Sequence, residues 1–192
     1  MSRRPRPARF AASRGFTLLE TVFVLALIGI LTAMAIPQTM AGLERSRTIA
    51  AARFLAGRLA LARSQAVSRS ANVALLFQPD ATGYTIATYR DGNANGVRTR
   101  DIAMRLDPQL EAPVRLSDLF PGVSLSLTDP AREPEPAAST LMSFAPGGTA
   151  SSRTIYLRGR DGSHYAVRVL GVTGRTRVLR YLASTHQWVD TF

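Results

Sequence analysis

The chain has 192 residues, no cysteine and a formal net charge of +11. This length suits one ordinary domain with an appendage, and the lack of cysteine excludes disulfides and thiolate metal sites. The charge alone suggests nucleic-acid binding, but the first fifteen residues hold five arginines and no acid, whereas the rest carries 19 arginines against 13 acids, or +6. The basic excess is therefore divided between a short leader and a moderately charged remainder.

A long apolar segment follows the basic leader. Residues 16–36 are almost unbroken hydrocarbon, which is long enough for a helix to cross a bilayer. The positive-inside rule keeps the leader in the cytoplasm and puts the remaining chain outside, in the periplasm of a diderm cell. A cleaved secretory signal, with "TAMA" at 32–35 as its small-residue site, and a plain signal anchor are the alternatives. Neither alternative explains why Glu20 lies inside the apolar run.

The stretch around that glutamate, "RGFTLLE" at 14–20, resembles the processing site of type IV prepilins and type II secretion pseudopilins. The resemblance implies that an inner-membrane prepilin peptidase cuts between Gly15 and Phe16 and methylates the new amine of Phe16. It also implies that Glu20 of an incoming subunit pairs with the Phe16 ammonium of its neighbour in the filament. A carboxylate in lipid costs roughly 2.5–3.5 kcal/mol, so burying the pair disfavours wrong registers. Pro37 fits the same family pattern as a bend just past the span, with a simple helix end as the alternative.

A helical pattern continues beyond the apolar run. Small and apolar residues recur every three or four positions, at Ile49, Ala52, Leu55, Leu59, Ala62 and Ala66. The sequence therefore predicts one helix from 16 to about 70, with a domain covering only its second half. Arg47, Arg58 and Arg69 are eleven apart and stack along one side of that helix. We interpret this row as a solvated face, with a specific filament or nucleic-acid contact as the alternative.

The period changes to two after residue 70, which predicts β-strands. Eight short segments fit: 72–78, 84–90, 102–106, 122–128, 140–145, 153–158, 165–171 and 176–182. Turn residues separate them, and the Pro- and Glu-rich stretch 129–139 is predicted to be an exposed loop. The fold class is therefore α+β: a long N-terminal helix followed by an antiparallel sheet or sandwich, as in pilins.

Four later stretches narrow the resemblance. "LARSQAVSRSANVAL", "YRDGNANGVRTRDI", "FAPGGTA" and "GVTGRTRV" together resemble the GspH/FimT group, which comprises minor pseudopilins of type II secretion and related minor pilins of type IV pili. The resemblance extends over nearly the whole mature chain. One departure is the acidic, Pro-rich insert at 107–139, which carries six acids against two arginines.

The stretch "DGNANG" suggests two kinds of loop. Asp91, Asn93 and Asn95 have the spacing of the first calcium ligands in an EF-hand loop, but Ile102 stands where the bidentate glutamate belongs, and Asp101 is one place short. We interpret the stretch as a Gly- and Asn-rich hairpin turn whose residues tolerate positive φ, with a weak divalent-cation site as the alternative. No other cofactor is predicted.

The second candidate site is "GRTR" at 174–177. Residues 151–192 hold seven arginines and two acids, and Arg175 and Arg177 alternate on one predicted strand. In FimT-type minor pilins a Gly-Arg-x-Arg element near the C-terminus is associated with DNA capture, so the resemblance implies a candidate DNA site at these two arginines. An arginine pair on a solvated strand, or one that contacts a partner pilin, is the alternative.

The sequence thus predicts four regions: a leader at 1–15, a membrane-spanning stem helix at 16–37, its amphipathic continuation at 38–70 and a β-rich periplasmic head at 71–192. His164 and His186 are the only histidines, and no catalytic motif is present, so we predict no enzymatic activity. The predicted function is that of a minor pilin or pseudopilin, anchored in the inner membrane and assembled with other pilins after prepilin peptidase processing. A DNA-uptake pilin and an ordinary membrane-anchored periplasmic domain are the alternatives.

Overall fold

The structure is a computed structural model that describes residue 15 and residues 17–81, 83–129 and 140–191, without the side chains of 36–41. The chain divides into two compact units, Met1–Met40 and Ala41–Phe192. The predicted leader, Phe16 and nearly all of the predicted loop at 129–139 lie outside the described residues. The division of the chain into a leader, a membrane-spanning helix, its amphipathic continuation and a periplasmic head stays a prediction.

Helix α1 (Leu18–Ser68) contributes to both units. In the first unit its described side chains are exposed, and Leu18–Ala35 is long and apolar enough to cross a membrane, with a mean hydropathy of 2.3. The helix continues across Pro37, so the alternative that it ends there is wrong. Pro37 lacks an N–H, and its backbone nitrogen therefore donates no hydrogen bond to the preceding turn.

In the second unit α1 presents a buried stripe. Ala52, Leu55, Leu59, Ala62 and Ala66 are at most 1% exposed, as the helical spacing predicted, and Ile49 packs against the same core. Burying each leucine stabilises the fold by roughly 1.5–3 kcal/mol.

Two antiparallel sheets follow the helix. The first has the order β3-β2-β1-β5 and the second the order β4-β6-β7-β8-β9. The first comprises β1 (Val73–Asp80), β2 (Gly83–Arg90), β3 (Val114–Arg115) and β5 (Leu141–Phe144). The second comprises β4 (Ser124–Ser126), β6 (Arg153–Arg158), β7 (His164–Leu170), β8 (Arg175–Leu182) and β9 (Gln187–Asp190).

The inner faces of both sheets and the buried stripe of α1 form one hydrophobic core, which includes Phe77, Phe144, Ile155 and Val167. The predicted α+β class is therefore confirmed. Seven of the eight predicted strands are present, and α2 (Thr99–Ala103) and α3 (Leu116–Leu119) are the short helices of the described head.

The predicted strand at 102–106 is wrong. These residues form the end of α2 and a turn in which Arg105 has φ 59°. Ile102, Met104 and Leu106 alternate as in a strand, but Met104 and Leu106 are about half exposed. Two strands were missed: β3, which has two residues, and β9, which begins directly after a tight turn. Segments this short contain too few residues to define a period.

The interpretation of Arg58 as part of a solvated face is also wrong. Its guanidinium Nη1 donates a hydrogen bond to Glu111 Oε2, and the two side chains are only 16% and 25% exposed. Gln65 Nε2 donates to the other carboxylate oxygen at 3.1 Å. This cluster joins α1 to the segment that precedes β3, and its partial burial makes the loss of one partner more costly than at the surface. Arg47 pairs with Glu44 along the same helix, and these two side chains are 38% and 22% exposed.

We predict that Arg58→Met lowers the stability of the head by about 1–2 kcal/mol, because it leaves the half-buried Glu111 carboxylate without its cation. The measurement is thermal unfolding of the full chain in detergent micelles. Arg177→Met is the matched control, since it removes an exposed pair with Asp190, whose two side chains are 53% and 41% exposed, worth about 0.5 kcal/mol. Equal melting temperatures for the two variants would contradict this account of Arg58.

Candidate functional site

The start of α1 is fixed by a side-chain cap. Thr17 Oγ1 accepts a hydrogen bond from the backbone N–H of Glu20 at 3.2 Å, and the Thr17 carbonyl accepts from Thr21 N at 3.1 Å. The sequence Thr-x-x-Glu at this point has the form of a capping box, in which the hydroxyl satisfies one of the free donors of the first turn. The helix therefore begins two residues after the predicted cleavage site.

Glu20 is the only charged residue of the Leu18–Ala35 segment. Its position in the first turn suits a carboxylate, because the N-terminal end of a helix carries partial positive charge. The other polar side chains nearby are satisfied within the helix: Thr21 Oγ1 donates to Leu18 O at 2.8 Å and Thr32 Oγ1 donates to Ile28 O at 2.7 Å. Glu20 thus remains the one strongly polar group on an exposed apolar helix surface.

The predicted cation loop is a short irregular loop that connects β2 to α2, so the hairpin interpretation is wrong. The Asp91 carboxylate accepts hydrogen bonds from Gly96 N at 2.7 Å, Asn72 Nδ2 at 2.9 Å and Asn93 N at 3.1 Å. Burial alone would raise the pKa of Asp91, but these bonds outweigh it and lower the pKa below its ordinary value of 3.8. Gly96 has positive φ, as the Gly- and Asn-rich composition predicted, and Ala94 also has positive φ, which the composition did not predict.

A second carboxylate holds the other side of this loop. Asp107 Oδ1 accepts from Gly92 N at 3.0 Å and its Oδ2 accepts from Arg98 N at 3.1 Å. Asp101, in α2, lies 3.5 Å from Asn93 Nδ2. Within the described residues, no three His, Cys, Asp or Glu side chains are grouped so that they could hold a metal ion. The acids of this loop bind backbone N–H groups, and the cation site remains a prediction without a supporting contact.

The GRTR element forms the turn between β7 and β8 and the start of β8. Arg175 and Arg177 are both exposed, and Arg177 lies opposite Arg168 in the register of the two strands. Arg177 Nη1 also lies 3.6 Å from Asp190 Oδ2 on β9. The two predicted DNA-site residues therefore differ, because Arg177 has an acidic neighbour on the strand beside it.

Arg63 of α1 lies against this turn and is hydrogen-bonded to a neighbouring loop. Its Nε donates a hydrogen bond to the carbonyl of Gly148 at 3.2 Å. A Cβ at position 174 would lie 2.3 Å from the same carbonyl and 2.8 Å from Arg63 Nε. Gly148 and Gly174 also have φ of 83° and 60°, which favours glycine. The glycines of "FAPGGTA" and "GVTGRTRV" thus leave space for one helix arginine between two loops.

A groove lies between this turn and the neighbouring face of α1. Its cavity volume is 540 Å³, and it is lined by Arg53, Ala56, Gly57, Ala60, Arg63, Gly174, Arg175, Thr176 and Val178. Three of these described lining residues are arginines and none is acidic. We call it the arginine groove. The sequence prediction included Arg175 but missed Arg53 and Arg63, although their helical spacing around Ala56, Gly57 and Ala60 marks a single face of α1.

The two histidines lie within an aromatic cluster on the outer face of the second sheet. Tyr181 OH is 3.0 Å from His186 Nδ1, and the Trp188 ring packs at 5.3 Å from Tyr181 and 5.7 Å from Tyr156. His164 begins β7, and burial together with the charge of Arg158 lowers its pKa. His164 is thus a strand residue, and His186 lies in the exposed turn before β9.

The chain matches two protein-family models. The family described as Type II transport protein GspH matches residues 51–174, which is more than half of the chain. The Prokaryotic N-terminal methylation motif matches residues 11–36. The GspH match includes Arg53, Arg63 and Gly174 and ends before Arg175 and Arg177.

Among solved structures, the chain is similar to the minor pseudopilin EpsH from the Type 2 Secretion System of Vibrio cholerae. The two are 13% identical, with a TM-score of 0.49, over 70% of this chain and 97% of that chain. No curated protein sequence gives a significant match.

We predict that Gly174→Ala destabilises the head by at least about 2 kcal/mol more than Gly162→Ala does. Both glycines have positive φ, but a Cβ at 162 meets nothing within 4 Å, whereas one at 174 collides with Gly148 O and Arg63. Comparing the two variants by thermal unfolding therefore separates the steric collision from the backbone strain. Similar losses in both variants would show that Arg63 does not restrict position 174.

Proposed function

The chain belongs to the GspH family of type II transport proteins, and from this premise we propose that it is a minor pseudopilin of a type II secretion system. In this proposal it is made as a precursor, cut between Gly15 and Phe16, methylated at Phe16 and assembled with other pseudopilins. The role is structural, and the chain is a substrate of the prepilin peptidase without catalytic activity of its own. A minor subunit of a type IV pilus is the related possibility that the same processing site permits.

The observation that carries this proposal is the isolated charge of Glu20. It lies in the first turn of a helix whose surface from Leu18 to Ala35 is exposed and otherwise apolar. Lipid or the helices of other subunits must cover such a surface, and a carboxylate there needs a cationic partner. A new α-amino group four residues upstream, on a neighbouring copy of the same stem, would supply that partner.

The pairing would set the position of each subunit along the filament. A displaced subunit would leave both Glu20 and the neighbouring amine unpaired in a medium of low dielectric constant, which is more costly than losing apolar contact. Burial of the apolar surface favours packing of the stem helices in any axial position, whereas the charge pair favours one axial position. Pro37 would bend or loosen the helix beyond this paired region.

We further propose a single pass through the inner membrane, with the N-terminus in the cytoplasm and the head in the periplasm. The arginines of the leader support this orientation, since basic residues are retained on the cytoplasmic side. Cleavage then takes place at the cytoplasmic face, close to the start of α1. The partners in this proposal are the prepilin peptidase, the inner membrane and the other major and minor subunits.

We predict that the mature chain begins at a methylated Phe16. Intact-mass spectrometry of the protein purified from membranes measures this directly, and Gly15→Leu should leave the precursor uncut because a large side chain then occupies the cleavage site. A wild-type chain that retains its leader, or is cut after residue 35, would overturn the proposed function.

We also predict that Glu20→Gln is processed normally but enters assemblies at least about tenfold less, since a charge-assisted hydrogen bond in a dry environment is worth about 1.5–3 kcal/mol. Cross-linking between stem helices of neighbouring subunits measures incorporation. Glu44→Gln is the control, because Glu44 pairs with Arg47 on the same helix outside the apolar segment. Equal incorporation of both variants would contradict the assigned role of Glu20.

A second candidate function is DNA binding by the head through Arg175 and Arg177. The observation that favours it is their exposure beside Arg168, which gives three arginines on two adjacent strands. Phosphate contacts from such residues are insensitive to base sequence and weaken as salt rises. Asp190, which lies beside Arg177, opposes this function.

If the head binds DNA in this way, Arg175→Ala/Arg177→Ala should weaken the binding and reduce its salt dependence by about two phosphate contacts. A mobility shift of a duplex by the full chain in detergent, at several salt concentrations, measures both quantities. Arg98→Ala/Arg100→Ala removes the same charge from exposed positions elsewhere and is the control. Equal losses of DNA affinity in the two double variants would show that the binding depends on net charge and not on Arg175 and Arg177.

A further inference from the structure

The outer face of the second sheet has an apolar packing cluster that is separate from the main core. Ala166 and Leu179 are only 1% and 7% exposed, yet neither belongs to the core that α1 shares with the two sheets. They are register partners on β7 and β8, and Tyr156 on β6 is opposite Ala166. On the same face the ring of Trp188 lies 5.3 Å from Tyr181 and 5.7 Å from Tyr156. We call these three aromatic side chains the aromatic platform.

A small cavity adjoins the aromatic platform. Its volume is 100 Å³, and it is lined by Ser124, Ser126, Tyr156, Leu157, Arg158 and His164. We call it the sheet notch. The His164 ring, 6.2 Å from the ring of Tyr181, connects the notch to the platform. A water molecule occupies about 30 Å³ in the liquid, so the notch has room for one short side chain.

The polar groups of the sheet notch favour an anion. The Ser124 hydroxyl is engaged locally, since its Oγ donates to the carbonyl of Arg158 at 3.3 Å. The Arg158 guanidinium, by contrast, has no ion pair or hydrogen bond among the residues that the structure describes. Burial lowers the pKa of His164 and the charge of Arg158 lowers it further, while Asp161 acts in the opposite direction. The positive charge of Arg158 therefore acts inside the notch.

The surrounding face of the sheet is also basic. Arg168 and Arg177 lie opposite each other on β7 and β8, on the same side of the sheet as the aromatic platform. Two described acids accompany them: Asp161, in the turn between β6 and β7, and Asp190, which lies 3.6 Å from Arg177. Together with Arg158, this leaves an excess of positive charge around the platform. A complementary partner surface is therefore acidic.

The geometry of the platform favours a protein over a nucleic acid. Bases stack on open ring faces, whereas the ring of Trp188 packs at 55° against Tyr181 and at 59° against Tyr156. The Tyr181 hydroxyl is also 3.0 Å from His186 Nδ1, which holds the ring in this orientation. Tryptophan and tyrosine next to arginine are the residue types that dominate the centres of protein interfaces.

We propose that the aromatic platform and the sheet notch bind an acidic segment of another protein. An aspartate or glutamate side chain of this segment enters the notch and pairs with Arg158, and neighbouring apolar atoms pack on Trp188 and Tyr181. The platform then excludes water from the charge pair, as the rim of an interface does around its central contacts. The inference goes beyond the proposed function and does not depend on it, because it uses only residues of the head.

The test is photo-crosslinking of the full chain in the cells that produce it. The photoreactive amino acid p-benzoylphenylalanine replaces Ser124, an exposed residue of the notch lining, or, in a separate strain, Asn95, an exposed residue of the loop between β2 and α2. Mass spectrometry identifies the peptide attached at each position. We expect the Ser124 adduct to join one protein through a peptide that carries aspartate or glutamate. We expect no adduct with that protein from Asn95.

Charge variants make the test specific. Arg158→Glu should reduce the Ser124 adduct at least about tenfold, because it places a like charge against the carboxylate. Arg100→Glu makes the same change in net charge at an exposed position of α2 and should leave the adduct unchanged. Replacing the partner's acidic residue by arginine should restore the adduct in the Arg158→Glu chain. If thermal unfolding shows that Arg158→Glu is unfolded, Arg158→Gln replaces it, with a smaller loss expected.

A second measurement uses Trp188, which is the only tryptophan of the chain. A synthetic peptide with the cross-linked sequence is titrated into the full chain in detergent micelles, and the fluorescence emission of Trp188 is recorded. We expect a saturable shift of the emission to shorter wavelength, because the bound segment removes water from the ring. The same peptide with its acids replaced by glutamine should bind at least about tenfold more weakly, since it lacks the charge-assisted hydrogen bond.

Several outcomes would overturn the inference. They are no Ser124 adduct with a protein, an adduct that nuclease digests, an attached peptide without acidic residues, and an adduct that Arg158→Glu leaves unchanged. A peptide that binds without changing the emission of Trp188 would also contradict it, because the platform would then not be the binding surface. All of these outcomes leave the proposed function intact, since none of them concerns the processing at Phe16.

Discussion

The head depends on the burial of one narrow stripe of α1 against both sheets. Its members differ in size: Leu55 and Leu59 are large side chains at its centre, and Ala52, Ala62 and Ala66 are small ones on either side. The four-stranded sheet and the five-stranded sheet both have an apolar inner face that packs in the same core as this stripe. Without the stripe, part of both inner faces would be exposed to water. The helix is therefore the central element of the core, and the opposite side of the same helix remains available for other contacts.

Arg63 shows how the helix also organises the surface. A single guanidinium brings together two loops, and the space it needs accounts for glycine at 148 and 174. This contact places Arg175 beside Arg53, so that residues distant in the chain form one groove. The cluster of Arg58, Gln65 and Glu111 attaches a third segment to the same helix. Polar contacts from one helix thus position the loops that its apolar stripe does not reach.

Structural features were predicted correctly where a long or specific sequence pattern indicates them, and missed where the pattern is short. The buried stripe of α1 repeats over many turns, and the seven residues around Glu20 form a specific motif, so both could be recognised from sequence. The strand predicted at 102–106 failed because three alternating apolar residues also fit a short helix and turn, and the hydrogen bonds of Asp91 and Asp107 decide the path of the chain there. The groove could not be predicted, since Arg63 and Gly148 are 85 positions apart and the contact involves one side chain and one backbone carbonyl.

The capped start of α1 has a consequence for the maturation of the precursor. The first acceptors of the helix are the hydroxyl and carbonyl of Thr17, which lies on the retained side of the proposed cut. Removing the leader therefore breaks none of the hydrogen bonds described in the first turn. The proposed cut would replace a basic peptide by a single amine and would leave these hydrogen bonds of the helix as they are. In the proposed maturation the stem would therefore be folded before it becomes competent to assemble, and the cut would change the charge at its N-terminus without changing its fold.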